Sequence, residues 1–302
     1  MDPTIEIAQL LRWDGGDVVL ETAYAAMLAN PLFDTAARAL VRNMLDAPIG
    51  DQALDAIFKD AGRYVAAMWA ICLHVSGGLT LPRLKRAGAE SGFLSAGRAR
   101  DLLNYLQHLD YIQVVAPAGA STPAVYEPTP TLLLAWRRHL SVALEAACVA
   151  EPAARTVLDR FDEPDVWMSF ARAHGESLLA VSSGAGASPY ERVFLHRLAG
   201  SQIVFTLIMS GDGAEFPPQG PLPFSMSAAA RRFGVSRAHV GRMFQDARNE
   251  GLVRQTPEGG LVLEEGTRAF LRYLYAAQLV HLLHAAARTF RVLGPADRSP
   301  IS

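Results

Sequence analysis

Cysteine occurs only twice in 302 residues, at Cys72 and Cys148. That count excludes a disulfide scaffold. Both stand in apolar helical runs (AICLHV and EAACVA), where a free thiol packs as a small hydrophobe. Charge is sparse as well. Charged residues make up 19% of the chain and the formal net charge is -2. The whole chain therefore lacks a basic excess, and any nucleic-acid footprint has to be local. No apolar run is long enough for a bilayer: YVAAMWAICLHV, residues 64–75, falls short of the ~20 residues a spanning helix needs. MDPTIEIAQLL at the N-terminus carries acids and no basic region, so no signal peptide, no membrane partner and a cytoplasmic location are expected. Catalytic signatures are missing too. There is no G-x-S-x-G, Walker loop or H-E-x-x-H. GAGAS (184–188) lacks the preceding strand of a dinucleotide fingerprint, and Cys72 and His74 diverge on a helix. His281 and His284 stand at i, i+3 with no Cys, Asp or Glu within a turn, so they read as helix-face residues rather than metal ligands. No enzyme activity, cofactor or metal is expected.

Helical signal is abundant. Apolar residues recur at helical spacing over 19–30, 35–46, 52–75, 97–109, 131–149, 166–181, 190–209, 237–250 and 267–290. Strand-like pieces are short, at 111–115, 124–126, 252–255 and 261–263. The breakers PAGASTP (117–123) and TPEGG (256–260) separate them into two hairpins. VSSGAGASP (181–189) reads as a linker, and GDGAEFPPQGPLP (211–223) as a surface loop.

The chain repeats itself. With Ser95 set against Ser236, 141 residues apart, SAGRARDLLNYLQHLDYIQ lies over SRAHVGRMFQDARNEGLVR without a gap. Leu102-Leu103 then match Met243-Phe244, Leu106 matches Ala247, and Tyr111-Ile112 match Leu252-Val253. Each half reads long helix, short helix, turn, helix, strand, turn, strand, long helix. Such a period indicates duplication of a whole domain, with residues 1–150 and 151–302 as its two copies.

Residues 224–271 carry the chemistry. AAARRFG is a short helix that Gly234 can end in the left-handed conformation. Ser236 is a good N-cap for the next helix, in which Val240, Met243, Phe244 and Ala247 form the buried face. Ser236, Arg237, His239 and Arg242 form the opposite one. Residues 225–254 hold six arginines (231, 232, 237, 242, 248, 254) against Asp246 and Glu250. A helix with polar residues at its N-terminal end, braced by a shorter helix, suits the DNA major groove, and arginine suits guanine or phosphate. The candidate contacts are Arg231, Arg232, Ser236, Arg237, His239 and Arg242, with Ser95, Arg98 and Arg100 in the first half. The first half is less basic, with Arg83, Lys85, Arg86, Arg98 and Arg100 against Glu90, Asp101 and Asp110.

The GVSRAHVGRMF turn and helix, the EGLV exit and the LEEG that opens the following helix resemble the winged helix-turn-helix of the MarR family of bacterial regulators. The turn and helix alone also resemble the Crp and AraC types; the hairpin and the long helix after it favour MarR. The first half is similar through its order of elements and the YEPTPTLL leaving its hairpin. The resemblance implies two winged helix-turn-helix domains in tandem, a mostly α protein with short β-hairpin wings, and a pseudo-two-fold helical bundle that mimics the family's homodimer. It further implies sequence-specific binding of double-stranded DNA in transcriptional control. A small-molecule effector would sit between the long helices and a DNA-binding lobe, near Trp69 or Trp136. Pairing of the fused chain into a homodimer stays open. Neither wing tip carries the arginine usual in the family. The alternative is a winged-helix scaffold that grips a regulatory protein. The repeat also predicts two separate cores, with the reading helices on one side about one DNA turn, ~34 Å, apart.

Overall fold

The computed structural model describes residues 20–90, 94–181 and 188–293. The N-terminal MDPTIEIAQLL, most of the predicted linker 181–189 and residues 91–93 lie outside them. The first half runs α1 (Leu20–Leu28), α2 (Phe33–Asp46), α3 (Gln52–Phe58), α4 (Ala61–Val75), β1 (Leu79–Thr80), α5 (Leu81–Glu90), α6 (Ala96–His108), β2 (Ile112–Ala116), β3 (Val125–Pro128) and α7 (Pro130–Ala150). The second runs α8 (Arg155–Leu158), α9 (Pro164–Val181), a π-helical turn (Glu191–Leu195), α10 (Gly200–Met209), α11 (Met226–Phe233), α12 (Arg237–Asn249), β4 (Val253–Gln255), β5 (Leu261–Leu263) and α13 (Glu265–Leu293). The protein is mostly helical with little antiparallel sheet, and no helix among the described residues is long and apolar enough to cross a membrane.

Two predicted helices are interrupted. Residues 52–75 break at Asp60, whose carboxylate caps α4 by accepting the Arg63 N–H. Residues 190–209 break at 196–199, before α10. The loop 211–223 is only partly exposed. Phe216 is fully buried against Phe33 and Tyr275, and Arg38 on α2 donates to the Gly211 carbonyl at 3.0 Å. Composition marked this stretch as a loop but could not show that one aromatic residue anchors it.

The 141-residue register recurs in backbone detail. Ser95 and Ser236 cap α6 and α12 by accepting the N–H groups of Arg98 and His239. The helices stop at Asp110 (φ 54°) and Gly251 (φ 66°), both left-handed. Tyr111 N–H then reaches the Leu106 carbonyl at 2.9 Å, as Leu252 N–H reaches that of Ala247 at 2.8 Å. In the first sheet the order is β1-β3-β2. In the second, β4 pairs with β5, and Leu222 bridges to Leu261 on the other side of β5. Leu222 thus stands where β1 stands in the first half.

Two helices pack on both halves. α2 lies along α7 of its own half and also against α10 of the other; α9 lies along α13 and also against α4. Arg172 on α9 donates to the carbonyl that ends α4 (Val75), as Arg38 donates beyond the end of α10. Gly175 permits the α9–α4 approach, since a Cβ there would come within 2.5 Å of the Cys72 sulfur. The expected separate cores are therefore not found. Buried apolar side chains form one cluster from Tyr24 to Ala286, because each half completes the other's interior. α13 is apolar around much of its circumference for this reason, with α1, α2, α7 and α9 all packed on it.

Candidate nucleic-acid interface

In α12 the buried face is Val240, Met243, Phe244 and Ala247. This amphipathic split leaves Ser236, Arg237 and Arg242 exposed, with Arg231 and Arg232 exposed on the last turn of α11. Gly234 between the helices is left-handed (φ 64°), as its position in the sequence requires. Gly241 is different: a Cβ there would meet nothing within 4 Å. Glycine inside a helix costs about 1 kcal/mol relative to alanine, and no contact within the protein requires it here.

Ion pairing sorts the charges of residues 225–254. Arg197, from the segment before α10, holds Asp246 at 2.6 Å, and Arg192 holds Glu250 at 3.2 Å. Arg254 pairs with Glu264 at 3.5 Å, and Arg248 donates to Gln245 at 2.7 Å. Among the described residues Arg231, Arg232, Arg237 and Arg242 make no ion pair, and no acid of residues 225–254 is left unpaired. Both acids that offset the arginines in sequence are thus neutralised by cations from outside the motif. That signal was not visible from local charge counting.

The first half resolves otherwise. Arg83 is a structural residue that donates to the Gly78 and Ser76 carbonyls. Arg98 lies 3.6 Å from Asp60. Among the described residues, Lys85, Arg86 and Arg100 then face Glu90, Asp101 and Asp110 with none of the six in an ion pair. The first hairpin is uncharged from Val114 to Tyr126, with Val114 and Val115 exposed. The cap Ser95 is exposed, as is Arg100.

His239 does not extend from the reading face as its helical position suggested. Its Nε2 lies 3.0 Å from the Leu198 carbonyl oxygen. Trp69 and Trp136 are each 1% exposed. Trp136 is packed by Tyr64 and His139. Both indoles are core residues. His281 is also buried: Tyr24 OH donates to its Nε2 at 3.0 Å, and its Nδ1 lies 3.0 Å from Ser177 Oγ. Ser177 gives its single proton to the His174 carbonyl, so the neutral His281 carries its proton on Nδ1. Desolvation lowers the pKa of His281 to about 4 and those of His139 and His174 to about 3. Burial raises both cysteine thiols to about 11, which leaves them protonated and unreactive at neutral pH.

Compared with known proteins, the chain matches no protein-family model, no curated protein and no solved structure.

Proposed function

We propose that the protein is a sequence-specific DNA-binding regulator of the MarR-like kind, with two winged helix-turn-helix units fused in one chain as a pseudo-dimer. Four exposed arginines without ion pairs, spread over α11 and α12, carry the reading; their counter-acids are neutralised from behind. On this reading Arg237 and Arg242 contact base edges or phosphates, and Arg231 and Arg232 contact the flanking backbone. Gly241 lets the helix approach a phosphate closely. The repeated order of elements, the same register of caps and stops, and the matching contacts of α2 with α7 and α10 and of α9 with α13 and α4 support duplication of one unit. The single core runs against the separate lobes that the repeat predicts, so the pseudo-dimer reading rests on the repeated register and on α2 and α9, each of which packs on both halves.

The test is binding to genomic fragments across a salt series. Four phosphate-directed cations predict a log–log slope of about -3 to -4. A second reading, as a scaffold for a regulatory protein, is favoured by one observation: the first wing is uncharged and shows Val114 and Val115 to solvent. Salt-independent or absent binding to every fragment selects it.

A further inference from the structure

Arg98 and His239 occupy the same position in the repeat, and each contacts a segment that precedes another helix, although the Arg98 side chain stays exposed. Arg98 reaches Asp60 at 3.6 Å, and His239 reaches the Leu198 carbonyl at 3.0 Å. Their targets lie in the corners that lead into α4 and α10. Those corners touch: the Ala199 N–H donates to the Lys59 carbonyl at 2.5 Å. A continuous path therefore joins α6 to α12, through Arg98, Asp60, Lys59, Ala199, Leu198 and His239. Arg197 fastens the same corner to Asp246 on α12. The Lys59 ammonium stands 3.9 Å from where a Cβ on Gly234 would lie, beside the turn between α11 and α12.

The corner is conformationally committed. Ala199 is fully buried with φ 58°, a conformation that costs an L-residue about 1–2 kcal/mol. The next residue has to be glycine, since a Cβ on Gly200 would lie 1.9 Å from the Phe194 carbonyl oxygen. Such a backbone persists where its surroundings over-determine it.

We propose that this corner-to-corner junction is a spacer that sets the separation of α6 from α12, with Arg98 and His239 as positioning residues and not base readers. Its consequence for operator choice rests on the DNA-binding reading above: a fixed separation selects DNA whose half-sites lie a fixed distance apart. The spacer itself can be tested without DNA. Spin labels at Ala96→Cys and Ala238→Cys, both exposed, report the separation by pulsed dipolar spectroscopy on the full chain, with buried Cys72 and Cys148 retained. His239→Ala and Asp60→Asn are each expected to broaden the distance distribution. Asp60→Asn keeps Oδ1 to cap α4 but removes the charge that attracts Arg98 at 3.6 Å and Arg63 at 2.9 Å, so it weakens the path without unfolding the helix. His239→Gln, whose amide N–H can still reach Leu198, is expected to restore the narrow distribution. Unchanged distributions in both His239→Ala and Asp60→Asn would overturn the proposal, as would a His239→Gln distribution as broad as that of His239→Ala. On a selected genomic fragment, inserting two base pairs between half-sites should weaken wild-type binding at least tenfold and His239→Ala binding much less. Equal losses would also overturn it. Broadening without DNA binding by any variant would support the spacer while removing the DNA-binding reading.

Discussion

The two halves share a backbone and differ in the use of their charges. Caps, left-handed stops and strand pairing recur at one register, so the two halves share their local architecture. Around α12 the acids are consumed by Arg192 and Arg197, and four arginines are left facing outward. In the first motif Arg83 is held by backbone carbonyls and Arg98 lies beside Asp60, while the remaining cations, Lys85, Arg86 and Arg100, are matched in number by three unpaired acids among the described residues. The proposed fusion of two units would permit this divergence, because a substitution in one copy no longer appears in the other. An imperfect palindrome with one strong half-site is the DNA expected to suit such a protein.

The difference between the halves extends into the core, and the largest expected effect lies there. The second half holds His174 and His281 and the first His139, all buried and neutral. Their folded pKa values lie below the ordinary value of about 6.5, so the unfolded chain binds more protons as pH falls. Their contribution to stability is complete above about pH 6.5 and is lost progressively towards pH 4. Each histidine should remove about 1.4 kcal/mol per pH unit within that window. Urea unfolding at pH 7.5, 6.0 and 5.0 measures it, and a constant midpoint would show that these rings are not held neutral. His281→Leu should also cost more at pH 7.5 than His139→Leu. It strands the Tyr24 hydroxyl and removes a second bond, to Ser177, whose hydroxyl keeps the His174 carbonyl, whereas His139→Leu breaks only the bond to Tyr64. A stranded buried hydroxyl costs about 1–3 kcal/mol.

The next effect is on DNA. Arg237→Ala and Arg242→Ala should each cost about 1–3 kcal/mol of binding where the side chain reads a base. Arg100→Ala should cost less, because Asp101 beside it already offsets its attraction for phosphate. Competition binding at one fixed salt concentration ranks the three. Equal losses for Arg100→Ala and Arg242→Ala would erase the proposed asymmetry.

Much of the fold was legible in the sequence because its signals are local. Helical periodicity, the cap serines and the breakers at 117–123 and 256–260 located α6, α12 and both hairpins to within a few residues. Long-range contacts were not legible. Nothing around Phe216 showed that a Pro/Gly-rich loop would be pinned by Phe33 and Tyr275. Nothing around His239 showed that Leu198, 41 residues away, would take its ring. Counting charges in a window suggested that Asp246 and Glu250 weaken the second motif; their actual partners, Arg197 and Arg192, lie outside any such window.

The smallest effect probes the asymmetry most directly. Asp101 is exposed and, among the described residues, unpaired; in the repeat it takes the place of Arg242. A carboxylate there repels phosphate unless it accepts a cytosine amino proton. Asp101→Asn removes the charge at nearly constant volume and keeps an acceptor. In water-like dielectric a unit charge at contact distance is worth about 1 kcal/mol, and exposed pairs realise less. Binding should therefore tighten about two- to fivefold at low salt, and the gain should fade as the Debye length shrinks to ~3 Å near 1 M salt. Asp101→Arg goes further, placing a free cation where the second half has one, and should steepen the salt slope by about one. If Asp101→Asn instead weakens binding by tenfold on one fragment and not on others, Asp101 reads a cytosine, and the first unit is a specific reader despite its charge. If neither variant changes affinity or slope, α6 does not face the DNA and the second unit binds alone.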